Sequence, residues 1–143
     1  MKKFLVLVFS IFLIMAFSTC LFSKVQVGEL VMEKFASPHP YKGVKGLVLE
    51  QVFHWSDAGY IAIHFSNFDL APGDYVEISS PDGRYYYEYK EKGKVVRGGQ
   101  AVLSNFWATH IPGDTAIVRL YSKNRGGGWG FVIDKSDRSH VVL

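Results

Sequence analysis

The chain has 143 residues, room for one domain of ordinary size and not for two. Its formal net charge of +3 includes Lys2 and Lys3, so the remainder is close to neutral, with acids and bases interspersed rather than blocked. That balance gives no footing for a nucleic-acid partner, and the single cysteine, Cys20, leaves no disulfide framework within the chain.

Met1-Lys2-Lys3 is followed by an apolar run from Phe4 to Phe17, broken only by Ser10, and then by the small residues Ser18, Thr19 and Cys20. This is the plan of a secretory signal peptide. A transmembrane helix is the competing reading, but crossing ~30 Å of hydrocarbon takes about 20 apolar residues. The run reaches that length only when the Ser-Thr-Cys step is counted. Ala16-x-Ser18 offers one cleavage site and Leu21-x-Ser23 another, so residues 1–23 are expected to be removed and 24–143 to form the domain. Lipid attachment at Cys20 is disfavoured by Phe17-Ser18-Thr19, which lacks the usual Leu and Gly or Ala before the cysteine. The expected location is secreted or periplasmic, with no membrane contact after cleavage.

From Val48 onward short β-rich runs alternate with Gly, Pro, Asn and Asp at the spacing of a sandwich or barrel. Val48 to His54 is the first expected strand. In Tyr60 to Phe65, period two puts Ile61, Ile63 and Phe65 on one face and Ala62 and His64 on the solvent face. Asp74 to Ser79 alternates likewise, with Val76 and Ile78 inward and Tyr75 and Glu77 outward. Ser80-Pro81-Asp82-Gly83 then supplies a turn, and Arg84 to Tyr89 returns as the second arm of a hairpin, with Tyr85, Tyr87 and Tyr89 on one face and Tyr86 on the other beside Arg84 and Glu88. Further strands are expected at Lys94 to Arg97, Ala101 to Phe106, Thr115 to Tyr121 and Trp129 to Ile133, with loops at 111–114 and 124–128. The tail from Lys135 to His140 turns polar, so the domain is expected to close near Asp134. About eight strands with short connections favour antiparallel neighbours, and two packed sheets are the economical arrangement.

Four segments stand in a suggestive order: Ser37-Pro38-His39-Pro40-Tyr41; Ile61-x-Ile63-x-Phe65-x-x-Phe68-Asp69-Leu70; Asp74-Tyr75-Val76-Glu77-Ile78; and Gly130-Phe131-Val132-Ile133-Asp134. Over about Phe35 to Ile133 the chain resembles a CUB domain, and is most similar to the cysteine-free bacterial versions that accompany secreted trypsin-like peptidases. The resemblance implies an all-β, antiparallel two-sheet β-sandwich of jelly-roll type. Many CUB domains bind calcium through a Glu at the Phe-x-Leu corner, an Asp opening the Asp-Tyr-Val strand and an Asp before Gly-Phe. Here Asp74 is the only one of those acids retained. Ala71 and Lys123 stand at the other two positions, which serves a cation with six to eight oxygen ligands poorly, so no metal and no cofactor are expected. Asp74 is expected instead to cap the Pro72-Gly73 turn.

Catalysis finds little support. The chain has no Gly-x-Ser-x-Gly elbow and no Gly-Asp-Ser-Gly run. His54 with Asp57, or His64 with Asp69, supplies at most half of a triad, with no distinguished nucleophile. The five histidines lack the close spacings of a zinc site. Gly126-Gly127-Gly128 is followed by no helix and no Lys-Ser or Lys-Thr pair, so it is a turn rather than a phosphate loop. The informative residues are aromatic. Tyr86, Trp107 and Tyr75, with Arg84, are the candidate ligand-binding positions, because exposed Tyr and Trp present rigid area with a polar tip. Packing across strands is their alternative use. The expected function is a non-catalytic recognition module for extracellular protein or glycan. The alternatives are an accessory domain for a peptidase domain outside this chain and an assembly protein pairing through sheet edges.

Overall fold

The computed structural model describes residues 25–96, 98–99, 101–123 and 126–142, with backbone alone at 25, 26, 141 and 142. The expected signal peptide lies outside the described residues. Eleven strands run in chain order: β1 (Val25–Ala36), β2 (Gly46–His54), β3 (Tyr60–Asp69), β4 (Tyr75–Ser79), β5 (Tyr86–Lys90), β6 (Lys94–Val95), β7 (Val102–Leu103), β8 (Phe106–Trp107), β9 (Ile111–Pro112), β10 (Thr115–Ser122) and β11 (Gly130–Val142). One sheet has the order β1-β11-β3-β8 with β9 also on β3, and the second has β2-β10-β4-β5. A two-stranded ribbon, β6-β7, stands apart from both, and every described pairing is antiparallel. The architecture is an all-β antiparallel sandwich.

The core forms where the period-two faces meet. Ile61, Ile63 and Phe65 of β3 face Val76 and Ile78 of β4 and Ala116, Val118 and Leu120 of β10, all buried. Each large side chain so placed contributes about 1.5–3 kcal/mol of transfer free energy. Aromatic rings fill the middle: Phe65 packs against Phe68, Phe106 and Phe131 at centroid distances of 5.2, 5.2 and 5.4 Å.

The hairpin of β4 and β5 forms at the expected turn, where Ser80 Oγ donates to Asp82 and the Arg84 amide donates to the same carboxylate. Tyr87 and Tyr89 point inward and Tyr86 outward. Tyr85 is exposed rather than sharing their buried face, because the strand begins at Tyr86, two residues later than expected.

Several expectations are corrected. Among the described residues there are eleven strands rather than about eight, since β1 precedes the first expected strand, the run 101–106 divides into β7 and β8, and the expected loop at 111–114 contains β9. The domain does not close near Asp134: β11 continues to Val142 between β1 and β3. Ser136 and Ser139 are buried there, and Arg138 pairs with Glu29 on β1 at 2.9 Å. A polar-looking tail becomes a strand because small hydroxyl residues fit under neighbours and the charges pair across strands.

The Ser-Pro-His-Pro-Tyr segment and the Gly-Phe segment are far apart in sequence and zipped together in space. Ser37 exchanges hydrogen bonds with Phe131, its amide donating to the carbonyl and its Oγ accepting from the amide, both at 3.0 Å. His39 stacks on Trp129 at 4.0 Å, and the Tyr41 amide donates to the Gly128 carbonyl. The approach is close at Gly130, at φ 117°, where a Cβ would lie 2.0 Å from Ser37 Oγ. Only glycine accommodates both that φ and that approach.

Candidate functional site

The Asp74 carboxylate is fully buried, and both oxygens are engaged. Oδ2 accepts from the Tyr41 hydroxyl at 2.6 Å, and Oδ1 accepts from the Lys123 amide at 2.8 Å. The Tyr41 hydroxyl in turn accepts from the Ala71 amide at 3.0 Å. Ala71, Asp74 and Lys123, the three positions singled out in the sequence, therefore meet at one end of the sandwich. Asp74 does not cap the Pro72-Gly73 turn with its side chain. That turn closes through backbone, the Asp74 amide donating to the Ala71 carbonyl, and the carboxylate is drawn into the interior by the Tyr41 hydroxyl.

Burial, then the hydrogen bond to Asp74, pushes the Tyr41 hydroxyl pKa far above the ordinary tyrosine value. Tyr60 is raised by burial and by Asp137, and Tyr75 by burial and by Glu88. A phenol whose folded pKa is raised stabilises the fold fully below its unfolded pKa of about 10, and that contribution is lost as pH rises above it. The urea midpoint is thus expected to fall between pH 10 and 11, and Tyr41→Phe should flatten the fall while lowering stability at neutral pH. A wild-type midpoint that is level across this range would contradict the assignment.

A concavity lies at the edge of the first sheet. Phe106 of β8 points into the core and Trp107 outward, as alternation requires, and Trp107 lies opposite His64 of β3. The ribbon β6-β7 folds beside it, turning at Gly93, whose φ of 121° and close approach to the Leu103 carbonyl exclude a side chain. The resulting cleft of about 620 Å³ is lined by His64, Lys94, Val95, Val96, Leu103, Asn105, Phe106 and Trp107. Lys94 Nζ donates to the Trp107 carbonyl at 2.9 Å, Asn105 donates to the Ser66 carbonyl, and Lys135 Nζ stands 5.9 Å from the Trp107 ring centre. Of the cleft's lining, Trp107, Val95, Val96 and Leu103 are exposed apolar side chains.

His64 is not solvent-facing: it is only 6% exposed, because the Trp107 ring lies over it at 4.7 Å. Its partner is Asp134, at 2.5 Å from Nδ1, and not Asp69, which pairs with Lys92. His54 likewise binds Thr115 Oγ1 at 2.9 Å rather than Asp57. The His64-Asp134 pair supports Trp107 from below. Its signal in the sequence was weak, since the two residues are brought opposite each other only by the β3-β11 register and its bulge around Asp134.

The four candidate aromatic and basic positions are not one site. Trp107 belongs to the cleft. Tyr75 and Tyr86 lie on the outer face of the other sheet, four residues apart along the β4-β5 ladder, or ~13 Å at 3.3 Å per residue. Arg84 sits on the hairpin turn, paired with Asp82 at 3.1 Å, and Tyr86 beside it is 61% exposed. Tyr121, which sequence reading had not singled out, stacks on Tyr75 at 5.1 Å with an interplanar angle of 19°.

No family model matches the chain, and no curated protein proved similar to it. Among the described residues no three His, Cys, Asp or Glu side chains are grouped to hold a metal ion, and no helix is long and apolar enough to cross a membrane.

Proposed function

We propose that this protein is a secreted, CUB-like recognition domain without chemistry of its own, which binds an extracellular protein through the Trp107 cleft. The observation that carries the proposal is the exposure of Trp107 together with Val95, Val96 and Leu103 around one concavity. Contiguous exposed apolar area of this kind marks interaction surfaces, and a tryptophan held from below by a packed His-Asp pair is a pre-ordered anchor. Lys94 and Lys135 beside the ring favour a partner that presents an apolar side chain flanked by acids. Export is supported by the Met-Lys-Lys start and apolar run. The CUB-like reading is supported by the contact between the Ser37–Tyr41 and Gly128–Phe131 segments and by the meeting of Ala71, Asp74 and Lys123.

The test is an array of extracellular proteins and glycans probed with the chain lacking residues 1–23, beside Trp107→Ala. A protein ligand whose affinity falls about thirtyfold on Trp107→Ala, the ~2 kcal/mol of an interface anchor, is the expected result. Protein binding that is indifferent to Trp107→Ala would move the site elsewhere. Binding to nothing would favour an accessory role beside a peptidase domain.

A further inference from the structure

The outer face of the second sheet carries a distinct arrangement. The cross-strand register places Lys90, Tyr75, Tyr121 and Leu47 in one row across β5, β4, β10 and β2. The next row reads Glu88, Glu77, Arg119 and Glu50, three acids to one base. Arg119 bonds Glu50 at 2.6 Å and Glu77 at 3.2 Å, and Glu88 lies 3.5 Å from Lys90. The aromatic row therefore has an acidic row on one side, and the lysines without acid partners among the described residues, Lys45 and Lys123, lie on its other side, past Gly46 and Ser122. Lys45, Tyr75, Tyr121 and Lys123 line a shallow depression of about 390 Å³, and Lys123 Nζ stands 5.8 Å from the Tyr75 ring centre. Among the described residues neither Lys45 nor Lys123 is in an ion pair. The Lys123 amide is fixed by buried Asp74, so this lysine is mounted on an ordered backbone beside the rings.

We infer that the Tyr75-Tyr121 pair with Lys45 and Lys123 beside it forms a second binding site, for a polyuronate glycan. Stacked tyrosines are a platform for the apolar face of a pyranose ring. A ring seated there directs an equatorial carboxylate sideways, in its own plane, to the rim where the lysines stand. Flat aromatic area without cations would suit a neutral sugar, and cations without aromatic area would suit any polyanion. Their combination selects a sugar that carries carboxylates. The site lies on the opposite sheet from the Trp107 cleft, so it is independent of the protein-binding proposal.

Affinity electrophoresis of the chain lacking residues 1–23 in gels containing polygalacturonate, neutral dextran, dextran sulfate or poly-glutamate tests this. Polygalacturonate is expected to retard the protein, and neutral dextran not to. Lys45→Glu and Tyr121→Ala should each weaken the polygalacturonate interaction at least tenfold, while Trp107→Ala leaves it unchanged. Thermal unfolding of each variant verifies that it is folded, and Lys45→Glu, on an exposed position, keeps the test valid should Tyr121→Ala fail to fold. Equal retardation by poly-glutamate would overturn the proposal in favour of an acidic polypeptide, and retardation by dextran sulfate alone in favour of a sulfated glycan. No retardation, or binding indifferent to Tyr121→Ala in a folded variant, would overturn it outright.

Discussion

Asp74→Ala is expected to lower stability by about 3 kcal/mol, roughly 10 °C in the unfolding midpoint, measured by urea and thermal denaturation. The substitution strips the Tyr41 hydroxyl and the Lys123 amide of their acceptor in a place without solvent. Hydrogen bonds to a charged group contribute about 1.5–3 kcal/mol, and leaving buried donors unpaired adds to that. Asp74→Asn keeps an oxygen for the Lys123 amide and is expected to cost about half as much. Because both carboxylate oxygens already accept from protein donors, wild-type unfolding should be the same with calcium as with chelator. A calcium-dependent rise in the midpoint would show that the carboxylate is recruited to a metal after all. The loss at Asp74 should also release Lys123, so the polygalacturonate interaction is expected to weaken with it.

Phe65→Ala is expected to cost about 4 kcal/mol, a large part of the 5–15 kcal/mol by which domains of this kind are stable. Its ring is fully buried and packs with Phe68, Phe106, Phe131 and Tyr89, four aromatic neighbours from four strands. They are held by the backbones of β3, β5, β8 and β11, so they cannot close around the lost volume. Phe65→Leu, which keeps most of that volume, should cost about 1–2 kcal/mol. The effect reaches the cleft as well. Phe65 pairs with Phe106 in the ladder that places Trp107 over His64, and a cavity beneath β8 should loosen the anchor. Denaturation measures the first effect, and ligand affinity of the still-folded fraction measures the second. A cost below 1 kcal/mol for Phe65→Ala would mean that the aromatic centre is far more plastic than its packing implies.

The strands most legible in the sequence were those whose burial is expressed locally. In β3, β4 and β10 every second side chain is apolar, and one face of each is buried, so period two is written into the residues themselves. The hairpin turn was equally legible, because Ser80, Asp82 and Gly83 close it through contacts within a few residues. β1 and the second half of β11 were not. Their residues are polar or mixed, and they become strands only by pairing with each other and with β3, through Glu29 with Arg138 and through buried Ser136 and Ser139.

The candidate sites divide along the same line. Residue type alone marked Trp107, Tyr75, Tyr86 and Arg84, and alternation placed Tyr86 outward. Tertiary structure decided the rest: that Trp107 stands over His64 and Asp134, that Tyr75 shares a stack with Tyr121, and that Asp74 belongs to Tyr41 and Lys123. The physical reason is common to all three. An alternating pattern sets which face a side chain takes, since that depends on its immediate neighbours. What lies above that face is set by strand order and register, which join residues from distant parts of the chain.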